Sequence, residues 1–118
     1  MVKKRYIPEQ GDIITLEFDP QAGHEQKGKR PALVVSNQVF NNFTKIAMVC
    51  PITNTNREFP LHVALDDRTK TTGLVMCEQV KSLDISARGA AFYEKVPQDI
   101  VEEVVDIIAG FTEIISEA

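Results

Sequence analysis

The chain has 118 residues, 43% of them hydrophobic, which suits one globular domain, residues 1–118, and leaves little for a second. No apolar run approaches the roughly 18 residues of a bilayer span, and the basic start MVKKRYIPEQGD has no apolar stretch or cleavage site behind it, so a cytoplasmic protein with no membrane partner is expected. The net charge of −4 argues against a nucleic-acid partner only until it is divided along the chain: residues 97–118 hold six acids and no Lys or Arg, leaving 13 basic against 11 acidic groups in residues 1–96.

The segment Asp12 to Phe18 alternates, with Ile14, Leu16 and Phe18 on one side and Thr15 and Glu17 on the other, and this predicts a half-buried strand. An eleven-residue polar stretch, Asp19 to Lys29, follows, far longer than a turn requires. Pro31 to Ser36 and Ile46 to Ile52 are continuous, β-branched apolar runs, expected as strands covered on both faces. Leu61 to Leu65 and Gly73 to Cys77 make a further pair joined by DDRTKTT, and Gly89 to Val96 is a last strand candidate. Strands at this spacing, linked by Gly, Pro, Asn and Asp, indicate a small antiparallel barrel or sandwich.

From Pro97 the period changes. Ile100, Val104, Ile107, Ile108, Phe111 and Ile115 fall at helical spacing, with Pro97 suited to the first turn and Asp99, Glu102 and Glu103 near the positive end of the helix dipole. An amphipathic helix packed on the sheet is expected. One such helix cannot cover every two-sided apolar strand, and a homodimer is the commonest way to cover the remainder.

Three places could carry chemistry. Arg30 stands before Pro31, whose ring keeps the preceding residue out of helical geometry, so its guanidinium projects from a fixed loop-strand junction. That suits bidentate phosphate recognition; a surface ion pair with Glu25 is the plainer alternative. Thr53 ends the run AMVCPIT and enters a polar stretch with Asn54, Asn56 and Arg57, either to stabilise developing negative charge or to start a turn. EQVKSLDISARG offers Gln79, Lys81 and Arg88, or is a solvated loop. Cys50 and Cys77 lie inside apolar runs as reduced, packed thiols, and with two histidines at no ligand spacing no metal site is expected.

Together the blocks GDIITLEFDP, GHEQKGKRPALVVS, Asn41-Asn42, VCPIT and EQVKSLD followed by ARGA resemble, in order and spacing, the MazF/PemK family of bacterial toxins, from about Gly11 to Phe111. The resemblance implies a mainly β fold, an SH3-like antiparallel β-barrel with a C-terminal helix, in a homodimer. It further implies a metal-independent, cofactor-free endoribonuclease that cuts single-stranded RNA, chiefly mRNA, at a short sequence and is neutralised by a cognate MazE-like antitoxin. By motif the loop glutamate is Glu25, the RP arginine Arg30, the P-x-T threonine Thr53 and the EQVKS glutamine, an RNA contact, Gln79. His24 stands where many relatives have serine.

In metal-free RNA cleavage the 2′-hydroxyl attacks its own phosphorus, leaving a 2′,3′-cyclic phosphate and a 5′-hydroxyl. The protein must align the nucleotides, remove a proton and spread charge on the phosphoryl oxygens. Arg30 and Thr53 suit charge stabilisation, and either Glu25 or His24 the base. Gln26, Asn54 and Gln79 are candidate readers of base edges, Lys29 and Lys81 candidate phosphate contacts. Phe59 either stacks on a base or belongs to the core. A related, non-enzymatic class, the CcdB type, shares the barrel and binds DNA gyrase through a C-terminal tryptophan; this chain has no Trp and ends FTEIISEA. An inactive member that only binds an antitoxin is the third alternative, against which the intact motif residues stand.

Overall fold

The computed structural model describes residues 5–18, 29–55 and 59–116. Its elements run β1 (Asp12–Leu16), β2 (Arg30–Val34), α1 (Gln38–Thr44), β3 (Ala47–Thr53), β4 (His62–Ala64), β5 (Leu74–Met76), a 3-10 turn (Cys77–Gln79), β6 (Lys81–Leu83), β7 (Ala91–Lys95) and α2 (Gln98–Phe111). The strands form one antiparallel sheet in the order β4-β5-β3-β2-β1-β7, with β6 also paired to β3. Among the described residues β4 and β7 end this path without joining, so the barrel is open.

β3 organises the sheet. One edge pairs with β2; along the other, Ala47–Val49 pair with β6 and Ile52 and Thr53 with β5. Pro51, which has no N–H to donate, falls between the two partners, where a missing ladder bond costs least.

Alternation along the central strands divides the interior in two. Ile13, Leu33, Cys50, Ile52, Val63 and Val75 meet α2 through Ile100, Val101 and Val104. Ile14, Leu16, Ala32, Val34, Ala47 and Val49 form a second cluster on the opposite face, with Tyr6 and Phe18 against it. β1 is therefore buried on both faces rather than one, and its strand ends at Leu16, short of Phe18.

The helical period after Pro97 is real but shorter than its apolar residues suggest. Pro97 is the N-cap of α2, and Thr112 ends it. Phe111 is exposed, and Ile114 and Ile115 are 92% and 74% exposed on the chain that follows. Val101, outside the expected stripe, is buried in its place.

Two elements differ from expectation. α1 is capped by the Asn37 side chain, which accepts from the Phe40 N–H at 2.9 Å, and Lys45 closes it at φ 65°. Its buried Asn41 donates to the Pro8 and Ser36 carbonyls and accepts from the Ser36 hydroxyl, so the first of the paired asparagines anchors the N-terminal segment. EQVKSLD is not a solvated loop but a 3-10 turn running into β6. Both cysteines are free and buried; burial, followed by the Glu78 and Glu103 charges, pushes the Cys77 thiol up to about 11, and burial raises Cys50 further.

Candidate active site

The register decides which side chains share a face. Thr53 lies opposite Leu74 on β5, and two residues further along β5 Met76 lies opposite His62 on β4. Residues directly opposite in an antiparallel pair share a face, as do residues two apart on one strand. Thr53, Met76 and His62 therefore point to the same side, away from α2, since Val63 and Val75 beside them point toward it.

Arg30 joins this row. It lies opposite Leu16, and it is two residues from Ala32; both neighbours belong to the cluster on the face away from α2. In the β2–β3 register Ala32 lies opposite Pro51 and Leu33 opposite Cys50, so Arg30, two residues before Ala32, and Thr53, two residues after Pro51, stand at the same end of neighbouring strands. Adjacent strands are about 4.8 Å apart, so this end of the sheet carries a guanidinium and a hydroxyl on one face. Arg30 is exposed, and among the described residues it makes no ion pair.

Thr53 also starts a turn: its Oγ1 accepts the Thr55 N–H at 3.1 Å. That bond uses a lone pair and leaves the hydroxyl proton to donate elsewhere. The turn and the charge-stabilising reading are thus compatible. Beside Thr53 is a cavity of about 330 Å³ lined also by Phe59, His62, Met76, Glu78 and Gln79. The 3-10 turn carries Gln79 to its wall, and Phe59 packs edge-on against His62 with ring centres 5.1 Å apart. Phe59 is 43% exposed and lines the cavity rather than the core.

The remaining expected residues divide. Lys81, opposite Val49 on β6, is on the same face as Arg30 and Thr53, with its ammonium 5.5 Å from the centre of the Phe18 ring. The Lys29 side chain lies over Gly89 in the turn before β7. Asn54 accepts from the Thr72 hydroxyl at 2.9 Å, which leaves its NH2 group to donate. Arg88 is tied to the residue that follows β1: its guanidinium donates to the Glu17 carbonyl at 3.3 Å, and its own carbonyl accepts from the Glu17 N–H. His24, Glu25 and Gln26 lie outside the described residues. Among the described residues no three His, Cys, Asp or Glu side chains cluster as a metal site would need.

The sequence reading missed one feature of this cavity. His62 Nε2 lies 3.0 Å from Glu78 Oε2, and the pair forms part of the wall below Thr53 and Gln79. Sixteen residues separate the two, and only the pairing of β4 with β5 brings them together.

With this geometry in hand, relatives are informative. Residues 9–111 match the model of the PemK-like, MazF-like toxins of type II toxin-antitoxin systems. The chain belongs to this toxin family. It is 40% identical over 108 residues to Endoribonuclease PemK of Escherichia coli, covering 88% of this chain and 81% of that protein. It is 41% identical over 86 residues to Endoribonuclease toxin MazF of Escherichia coli strain K12, covering 73% and 77%. The crystal structure of MazE-MazF (Form-II) from Deinococcus radiodurans superposes with a TM-score of 0.83 at 36% identity, over 91% of this chain and 96% of that one. The family resemblance and the mainly β fold with its C-terminal helix are thereby established, and the gyrase-binding alternative is not favoured.

Proposed function

We propose that this family member is the toxin of a type II toxin-antitoxin pair, a single-domain endoribonuclease that cuts single-stranded RNA, chiefly mRNA, at a short sequence, independently of metal and of the ribosome. The observation that carries the reading is the placement of Arg30 and Thr53 on neighbouring strands, on one face, beside a cavity walled by Gln79. A phosphodiester laid across β2 and β3 meets a permanent cation and a hydroxyl donor, while the adjacent base reaches the cavity.

In this reaction the RNA supplies its own nucleophile. The 2′-oxygen gives up its proton and forms a bond to phosphorus, the bond from phosphorus to the 5′-oxygen breaks, the leaving 5′-oxygen takes a proton from water or from the protonated base, and the products are a 2′,3′-cyclic phosphate and a 5′-hydroxyl. Arg30 and Thr53 hold the phosphoryl oxygens as charge develops on them. Arg30 acts by charge, since a guanidinium holds its proton too tightly to be a useful proton donor. Glu25 or His24 takes the 2′-proton, and comparing Glu25→Gln with His24→Gln across pH identifies which, because only loss of the base removes the acidic limb of the rate profile. Lys29, Lys81, Gln26 and Asn54 contact the flanking nucleotides.

The partners follow the same logic. An acidic, partly disordered antitoxin tail lying over the basic face would compete with RNA, in line with relatives solved as MazE-MazF complexes. A homodimer acting in the cytoplasm covers the apolar surface that one chain leaves open. The deciding experiment incubates purified protein with a long, weakly structured RNA in EDTA and maps the new ends. Cuts at a recurring short sequence that leave 5′-hydroxyls are expected. An RNA left intact, with gyrase inhibited instead, would overturn the reading.

A further inference from the structure

His62 and Glu78 join β4 to the turn that carries Gln79. His62 opens β4, and Glu78 is the middle residue of the 3-10 turn after β5. The His62 side chain is only 6% exposed, with Nε2 3.0 Å from Glu78 Oε2; a carboxylate only accepts, so Nε2 carries the shared proton. The turn has no side-chain cap, and its backbone tie to the start of β4, from the Cys77 N–H to the Leu61 carbonyl, is long at 3.4 Å. Of these two polar links the side-chain bond is the shorter.

As a source of stability that bond is poor. The other two polar atoms of the pair, Nδ1 of His62 and Oε1 of Glu78, are buried with no partner among the described residues, so each has lost water and gained nothing in exchange. Shut away from solvent, they are also shut away from any ligand. A buried pair with stranded atoms returns little of its desolvation cost, and apolar side chains of similar size in its place are commonly neutral or stabilising. What the bond does supply is geometry. A planar ring, packed edge-on against Phe59 with centres 5.1 Å apart, directs one N–H at one carboxylate oxygen. That ties down Glu78, and the next residue is Gln79.

Resting on the ribonuclease reading above, we propose that His62 and Glu78 are positioning residues for RNA binding, whose bond sets the 3-10 turn so that Gln79 faces the nucleotide beside Thr53. They act through Gln79 and need no contact with RNA of their own. Gln79 lines the cavity beside Thr53, and its amide meets a nucleotide there only while the turn keeps its place. Arg30 and Thr53 sit on β2 and β3, outside the elements that the pair joins, so the pair serves binding and not the chemical step.

The test replaces the pair as a unit. His62→Leu with Glu78→Met removes both stranded atoms, and this double variant should melt no lower than wild type. Its KM for a short RNA containing the site that the wild type cuts, and its Kd for the same RNA with a 2′-O-methyl nucleotide blocking the attack, should nevertheless rise about three- to tenfold, the worth of one hydrogen bond, while kcat stays within about twofold. Glu78→Gln retains an acceptor oxygen for Nε2 and should bind RNA nearly as wild type does. Gln79→Ala should weaken binding as much as the double variant, and the three substitutions together should weaken it no further, because they remove one contact. A double variant that melts well below wild type would make the pair a support of the fold and overturn the inference. So would one that binds RNA as tightly as wild type, or whose loss adds in full to that of Gln79→Ala, and each of these leaves the ribonuclease standing. A wild type that cuts no RNA at all would instead overturn the reading on which the inference rests.

Discussion

Gly73 passes so close to Thr53 that a Cβ built on it would lie 2.4 Å from the threonine carbonyl oxygen and 3.1 Å from Asn54 Oδ1. Its φ of +122° is in addition one that side chains rarely adopt. The start of β5 and the end of β3 are thus held together by the absence of a side chain, and Thr53 is set in place by that contact. Gly73→Ala should strain the backbone by roughly 1–3 kcal/mol and, by shifting Thr53, lower cleavage by about 10²-fold. Thermal denaturation and single-turnover cleavage measured on the same sample check this. A variant with reduced stability but undiminished cleavage would show that Thr53 does not depend on Gly73.

Arg30→Ala and Thr53→Ala should separate activity from folding. Arg30 is exposed at the start of β2, so its loss should change stability by no more than about 0.5 kcal/mol. Thr53→Ala forfeits the bond to the Thr55 N–H and should cost about 1 kcal/mol. Each should reduce cleavage by about 10²- to 10³-fold, as removal of a charge-stabilising donor does. Thr53→Ser retains the hydroxyl and should recover most of the rate. Gel-based cleavage rates beside denaturation curves decide the question, and an active Arg30→Ala would remove the arginine from the mechanism.

How much of this was readable beforehand depends on how far apart in the chain the cause lies. Arg30, Thr53 and Gln79 end or follow strand-like runs, and local patterning suffices to find them. His62 and Glu78 do not announce themselves, because their pairing is a property of the β4–β5 register and not of either segment. α1 was missed for a different reason. Its seven residues, QVFNNFT, include asparagines, a threonine and a valine with poor helix propensity, and it stands on the Asn37 cap and on Asn41 buried against the N-terminal segment. The apolar stripe after Pro97 runs past the helix because Ile115 keeps the helical spacing beyond Thr112, where α2 ends.

Glu94 on β7 gathers the loop between β4 and β5. Its carboxylate accepts the Lys70 N–H at 3.0 Å and the Thr71 N–H and hydroxyl at 2.7 Å each, and the next residue, Thr72, donates to Asn54 beside the site. Burial alone would raise this carboxyl, but the donors outweigh it and hold it below the ordinary value of 4.5. A carboxyl depressed in the folded state adds stability above its unfolded value, and that stability fades as pH falls through the lower folded value. Wild type should therefore lose more stability than Glu94→Gln between about pH 5 and 3. Melting temperatures of the two proteins across that range provide the measurement, and parallel curves would mean that Glu94 contributes nothing to acid sensitivity. Asp66, drawn down to about 2 by its bonds to Arg68, titrates lower and is common to both proteins.

The two ends of the C-terminal apolar pattern should behave oppositely. Val104 is fully buried between α2 and the sheet, where Val→Ala removes two methyl groups and leaves a cavity, a loss of about 2 kcal/mol. Ile115 follows the helix and is 74% exposed, so Ile115→Ala should change the stability of the isolated chain by less than about 0.5 kcal/mol. Urea denaturation at several protein concentrations tests both at once. If Ile115→Ala were destabilising, and more so at the concentrations where two copies associate, the residues after Phe111 would be covered by the second copy. If it were neutral throughout, a homodimer of the kind proposed would need another surface, of which the exposed Val39 and Phe43 on α1 offer one and Phe92 and Tyr93 on β7 a second.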